Sequence, residues 1–390
     1  MAESYRSRGA SADKADVHAA VGGLDPGLFP GAFCKLVPDP AGDPGWAAVL
    51  HADGAGTKSL VAYLVHRETG RLDVFEGLAQ DAAVMNVDDA LCVGATDGFI
   101  LSNAIARNAH RIDGAVIAAI VRGYRRFADD LGALGVDVTL AGGETADVGD
   151  LVQTLVVDST LFARVRRDQV VDASRVRPGQ VIVGLASTGR AAYERGENSG
   201  IAANGLTLAR HVLLRHDYAE RYPETYAPTV AREHVYRGRF RLEDALPGAA
   251  MTVGDALLSP TRTYAPIVKT ILDGDRGAIG GIVHCTGGGQ TKCRRFGRGV
   301  HYVKSDPFPV PPVFRAILES GAVPAREMYQ VFNMGHRMEV YCDPPVADRV
   351  VAAAEKFGVG ARVVGEVRRS ATERNRVTIV GDGQEFTFEA

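Results

Sequence analysis

Three times along this chain an apolar run of strand character empties into a loop crowded with glycine and polar side chains: HADGAGTK at 51–58, AGGETAD at 141–147 and TGGG at 286–289. Between them lie stretches of helical period, at 78–93, 112–134, 206–214 and, after a turn that begins at 257, 266–272. Strands alternating with helices in both halves predict an α/β or α+β fold of two domains meeting at a cleft. In such architectures ligands bind where strands end. A length of 390 residues, 46% of them hydrophobic, is enough for two cores. A proline and glycine near 176–179 mark the junction, dividing the chain into a mobile N-terminus (1–20), a first domain (21–177) and a second (178–390).

Charge narrows the function classes. A formal net charge of −3 with 23% charged residues creates no sign-biased field, so neither nucleic acid nor an anionic membrane is expected as a partner. No apolar segment is long enough to cross a bilayer and the N-terminus lacks a secretory apolar core, which predicts a cytoplasmic protein. The five cysteines are scattered without paired spacing and predict reduced thiols and no structural zinc. Cys34, in GAFCKL, reads as a small buried hydrophobe. The glycine-rich segment 21–33 before it is either a covering loop or a lid.

The first loop has the composition of a phosphate site. Gly54 and Gly56 let backbone N–H groups approach anionic oxygens, Thr57 adds a hydroxyl, Lys58 adds an ammonium, and Asp53 can face a divalent cation. The same DG spacing is also an ordinary turn. On the helix 78–93, Asp81 and Asp88 fall two turns apart on nearly one face with Asp89 beside them, either as a metal-facing row or as a solvated one. The second loop adds Gly142, Gly143, Glu144 and Thr145. Asp53, Lys58, Asp81, Asp89 and Glu144 together are the parts needed for a nucleotide triphosphate with Mg2+, which favours hard oxygens and retains water. The P-loop and protein-kinase glycine signatures are both absent.

DGAGTK, the helix carrying Asp81 and Asp88-Asp89 ahead of VGA, GGETAD, ANG, LLSPTRTY, HCTGGG and EMYQVFNMG occur in the same order as in the aminoimidazole ribonucleotide synthetase (phosphoribosylformylglycinamidine cyclo-ligase) family, which this chain resembles from about residue 21 to 367. The first motifs belong to a wider superfamily that includes selenophosphate synthetase and thiamine-monophosphate kinase; the last three favour the cyclo-ligase. The resemblance implies a homodimer in which N-terminal sheets pair into a barrel flanked by C-terminal α/β domains. It implies ATP and Mg2+ as cofactors and formylglycinamidine ribonucleotide as substrate. Carried onto this chain, it places Mg2+ at Asp53, Asp81, Asp89 and Glu144, and ATP phosphates at Asp53, Gly54, Gly56, Thr57, Lys58, Gly142, Gly143 and Thr145. Substrate falls to Asn204, Thr286, Gly287, Gly288 and Gly289, with His284 and Lys58 as catalytic groups.

The chain departs from that pattern at several points. Ile201, Ala202 and Ala203 stand where the family has a proline and histidine before SNG, Asp88 replaces an asparagine, and His336-Arg337-Met338 replaces VGM. His336 and Arg337 are therefore expected at an anionic substrate, or as marks of a remade pocket. An insertion at 190–200 and an excursion over 216–247 leave room for another ATP-dependent kinase or synthetase of the superfamily. A catalytically silent nucleotide-binding subunit ranks last because Asp53, Asp89 and Glu144 are all present.

Overall fold

The computed structural model describes residues 2–12 and 15–389. Its first sheet holds β1 (Val37–Pro38), β2 (Trp46–Gly54), β3 (Phe99–Arg107), β4 (Val138–Asp147) and β5 (Leu155–Arg166), ordered β1-β2-β5-β3-β4. Only β3 and β4 run parallel, as their helical crossover requires. The second sheet holds β6 (Val181–Ala186), β7 (Ile279–His284), β8 (Val300–Lys304), β9 (His336–Cys342), β10 (Ala361–Arg369), β11 (Arg376–Gly381) and β12 (Gln384–Glu389), ordered β12-β11-β8-β10-β6-β9-β7. This is the mixed α/β class expected from the alternation of strand and helix.

Helix α1 (Glu3–Arg6) and α2 (Ala15–Val21) precede the first sheet, and α3 (Lys58–Thr69), α4 (Asp73–Leu91) and α5 (Gly114–Gly132) pack on one face of it. Asp113 caps α5 by accepting from the N–H groups of Ala115 (3.0 Å) and Val116 (3.1 Å). The inner stripe of α5, including Ile120, Tyr124 and Phe127, is buried while its basic face is outward. α4 has no such polarity: it is buried nearly all round, because the second domain covers the side that the first sheet leaves open. Its aspartates therefore sit in the seam between the domains.

Two expectations change. Residues expected to be mobile before position 20 include α1, which docks on the second domain: the N–H groups of Ser4 (3.2 Å) and Tyr5 (2.8 Å) donate to the Glu327 carboxylate. Met1, Asp13 and Lys14 of that segment lie outside the described residues. Second, AGGETAD is not a loop after a strand but the second half of β4, whose pairing with β3 continues to Arg107↔Asp147. Opposite the helices, the first sheet presents an open face on which Leu50 (68%) and Ile100 (43%) are exposed on either side of Phe162.

Candidate active site

The site grows from the end of β2. Side chains alternate along the strand, so His51 and Asp53 fall on the helix-covered face. There the His51 ring meets α4 twice, through Nδ1 to Asn86 Oδ1 (2.9 Å) and Nε2 to Asp89 Oδ2 (3.3 Å). The Asn86 amide donates to the carbonyls of Asp53 (3.1 Å) and Ser159 (3.2 Å), fixing the strand end on the helix. The second domain supplies His284 from the end of β7, with Nδ1 2.6 Å from Asp89 Oδ1. The Cys34 thiol closes the group, 3.4 Å from the Asp89 carbonyl. Ligand atoms of Cys34, His51 and Asp89 all lie within 4.8 Å of one another.

Electrostatics set the charge of Asp89 and of His284 and bias that of Asp53. Burial alone would raise the Asp89 carboxyl, but Lys292, then His284 and His51, outweigh it and hold the group at about 2. Asp53, at the open edge of the site, is raised by its protein surroundings and then by the charge of Asp89. Burial brings His284 down to about 4 despite its bond to Asp89. Its imidazole is therefore neutral near pH 7, donating from Nδ1 to Asp89 and accepting at Nε2 from the Arg337 guanidinium (2.9 Å). His284, expected to transfer protons, has both ring nitrogens engaged, one by Asp89 and one by Arg337.

Lys58 and Asp81 also differ from expectation. Both are fully buried and pair with each other at 2.8 Å, away from Asp53 and Asp89. Lys58 Nζ also donates to the Ser259 carbonyl (2.5 Å), and Thr261 donates its N–H to Asp81 (2.8 Å). Burial pulls the Lys58 ammonium down and the Asp81 carboxyl up, each opposed by its partner. The pair therefore staples α3 and α4 to the SPTRTY loop and leaves Lys58 no free face for phosphate.

Glu144, Gly142, Gly143 and Thr145 lie on β4, three strands from β2, roughly 14 Å at ordinary strand spacing. Register places Glu144 in a row with Ala104, Asp158 and Gly54, so its side chain belongs to the open face, opposite the one carrying Asp53. Within one chain it does not join the Asp53 and Asp89 group. Asp158 crowds that row so closely that a Cβ on Gly54 would meet its carboxylate at 1.8 Å, which requires glycine there.

Arg337 and His336 are buried to 1% exposure and touch no open surface. Besides His284, the Arg337 guanidinium reaches Asp88 Oδ2 (3.4 Å) and the Arg262 carbonyl, and stacks 5.1 Å from the Tyr264 ring. Asp88 also accepts from Thr263 Oγ1 (2.7 Å) and the Tyr264 N–H (3.2 Å). Two departures from the family pattern thus meet: the carboxylate on α4 and the guanidinium on β9 neutralise each other in the seam. His336 bonds to Glu339 (2.9 Å), which also pairs with Lys304 inside the second sheet.

The remaining expected residues form the rim. Thr57 Oγ1 meets Thr207 Oγ1 across the domains (2.8 Å), beside exposed Gly56. Asn204 keeps a buried carbonyl oxygen with no partner. The TGGG turn closes through Gly289 N–H to Thr286 O (2.8 Å), with Gly288 at φ 95°, a conformation suited to glycine. The N–H groups of Gly287 and Gly288 have no acceptor among the described residues. His51, Asn86, Asp158 and Lys292 were not singled out from sequence; the lysine three positions past GGG was the one available signal.

Residues 32–165 match the family described as AIR synthase related protein, N-terminal domain, and 177–378 match its C-terminal domain. The phosphoribosylformylglycinamidine cyclo-ligase of Methanocaldococcus jannaschii is 32% identical over 335 residues, 85% of this chain and 81% of that protein. The one from Symbiobacterium thermophilum is 34% identical over 90% and 88%. The chloroplastic one from Arabidopsis thaliana is 31% identical over 93% and 80%. Among solved structures, hydrogenase maturation protein HypE superposes with TM-score 0.54 at 15% identity, over 80% of this chain and 81% of that one. Thermotoga maritima PurL complexed with FGAR gives 0.51 at 17%, over 94% and 47%. These two establish likeness of fold.

Proposed function

The chain belongs to the AIR synthase related family, and from that premise we propose that it is an ATP-dependent phosphoribosylformylglycinamidine cyclo-ligase, turning formylglycinamidine ribonucleotide into aminoimidazole ribonucleotide in purine biosynthesis. The observation that carries this reading is identity above 30% with curated cyclo-ligases along most of both chains. An amide oxygen is a poor leaving group. Moving the γ-phosphoryl of ATP to the formyl oxygen makes an iminophosphate; the amidine nitrogen then attacks the activated carbon and phosphate departs, leaving ADP. Little covalent chemistry falls to the protein, whose task is positioning and charge neutralisation.

Asp53, exposed at the end of β2, and Asp89, buried beside His51 and His284, offer hard carboxylate oxygens, which fits Mg2+. The ion would neutralise nucleotide phosphates there, with Glu144 outside the set that one chain can assemble. Backbone around Gly54 and Gly56 faces the same phosphates. The free N–H groups of Gly287 and Gly288 cradle the substrate's phosphate end. His284 holds the Asp89 carboxylate in one orientation, itself fixed by Arg337. The open sheet face bearing Leu50 and Ile100 takes a second copy of the chain.

The purified chain with ATP, Mg2+ and formylglycinamidine ribonucleotide is expected to release ADP and aminoimidazole ribonucleotide in equal amounts. ADP formation that does not respond to the ribonucleotide would overturn the assignment. Asp89→Asn should lower turnover at least 100-fold; turnover within threefold of the wild type would remove Asp89 from the site.

A further inference from the structure

Apart from Lys292, the site described so far has carboxylates, a thiol and imidazoles but no available cation. Lys58 is consumed by Asp81 and Ser259, and Arg337 by Asp88, His284 and the Arg262 carbonyl. Lys35 faces Asp25 at 3.7 Å on the exposed side of its loop. Transfer of a phosphoryl group among carboxylates needs positive charge besides the metal. One ammonium is placed to supply it.

Lys292 follows the TGGG turn in the short helix Gly289–Arg295. Its Nζ donates to Thr286 Oγ1 (2.7 Å) at the start of that turn and lies 4.3 Å from the centroid of the Phe33 ring, next to Cys34. Phe33 in turn stacks on Phe296 (5.3 Å), so the glycine-rich N-terminal segment is pinned over the second domain at this point. The ammonium thus stands between the unbonded Gly287 and Gly288 N–H groups and the carbonyl-to-thiol contact of Asp89 with Cys34. An ammonium has three donors. One is used by Thr286, the ring takes no conventional hydrogen bond, and no carboxylate pairs with it within ion-pair distance among the described residues.

Resting on the ATP use proposed above, we infer that Lys292 is a catalytic residue: it meets a phosphate oxyanion at the Asp53 and Asp89 site, the role that the sequence pattern gives to Lys58. Its charge is felt at Asp89, Asp53, Cys34 and His284 alike, as expected of a cation central to the group. The oxyanion is the terminal phosphate of the nucleotide or the ribose phosphate of the substrate. Both present the same chemistry to an ammonium.

Lys292→Gln keeps a donor for Thr286 and removes the charge; Lys292→Arg keeps the charge. Calorimetric titration with a non-hydrolysable ATP analogue plus Mg2+, and separately with formylglycinamidine ribonucleotide, gives the two arms. K292Q is expected to weaken one of them at least tenfold and to lower kcat at least 100-fold, with K292R within threefold in binding. The arm that weakens identifies the phosphate. If K292Q binds both ligands within threefold of the wild type, or if K292R loses as much as K292Q, the assignment fails. A wild-type chain that binds neither ligand would instead sink the cyclo-ligase reading, so the two failures separate.

Discussion

At the residue scale, Lys58 distinguishes a phosphate contact from a structural staple. Removing one member of a fully buried ion pair leaves an uncompensated charge and costs about 3–5 kcal/mol. Lys58→Met should therefore lower stability by about that amount in chemical denaturation, and Lys58→Met with Asp81→Leu should recover most of it. A phosphate ligand would behave oppositely, losing nucleotide affinity with stability intact. Asp88 and Arg337 also meet in the seam (3.4 Å), where burial pushes the Asp88 carboxyl up to about 7 against the pull of the guanidinium. His211 gives a pH signature. It is buried against Tyr236, accepts the Tyr236 N–H at Nδ1 (3.2 Å), and burial, then Arg210 and Arg8, push its pKa far below 6.5. The folded state therefore holds it neutral while the unfolded chain protonates it below about 6.5. Its stabilisation is complete above that pH and is lost as pH falls, at up to about 1.4 kcal/mol per unit. His211→Gln keeps an acceptor and cannot titrate. Denaturation at pH 7, 6 and 5 should show a slope shallower than the wild type's by about that amount.

Elements differ in how far their sequences declare them. β6 declares itself locally, because its apolar run between turn residues fits a buried strand. The stripe of α5 was legible for the same kind of reason, one face being wet. β4 was not: GGETAD has neither alternation nor β-branched weight, and its strand state is set by the pairing with β3, which no local pattern encodes. Of the site, the carboxylates Asp53 and Asp89 could be read from their motifs. The positions of Glu144 and Lys58 could not, because strand order and burial decide them. α1 makes the same point, since its charged sequence is ordered by distant partners: the Glu327 carboxylate, the Ala322 carbonyl for Ser4 and the His234 carbonyl for the adjoining Arg8. Ser4 and Tyr5 N–H groups at its first turn meet Glu327, a favourable end for a carboxylate. Glu327→Ala should release the helix, and limited trypsin digestion should then cleave after Arg6 and Arg8 several-fold faster, with the rest of the chain unaffected. Equal cleavage rates would mean that other contacts hold α1.

For the molecule as a whole, the first sheet is covered on only one side. Large apolar side chains on the other, Leu50, Phe162 and Ile100, lie in one row across three strands and so form a face rather than an isolated residue. Four long strands at ordinary spacing make a surface roughly 20 Å by 30 Å, so two such faces together cover roughly 1,200 Å2, the lower bound of a stable interface. β4 would otherwise be a bare edge strand, extending the sheet with most of its residues exposed. Pairing of two chains through this face would cover its apolar side chains. Sedimentation of the wild type at micromolar concentration is expected to give twice the chain mass. Leu50 is 68% exposed in the single chain, so Leu50→Glu removes no core packing and should leave the melting of the isolated chain unchanged. In a pair, the same change buries a carboxylate without a partner and should shift sedimentation toward the single chain. A wild type that sediments as one chain, or an L50E variant that still pairs as tightly, would show that this face is not the contact. If pairing also brings the open-face carboxylates Glu144 and Asp158 toward the neighbouring chain, L50E should weaken Mg2+-dependent turnover together with assembly; full activity in a purely single-chain preparation would confine the site to one subunit.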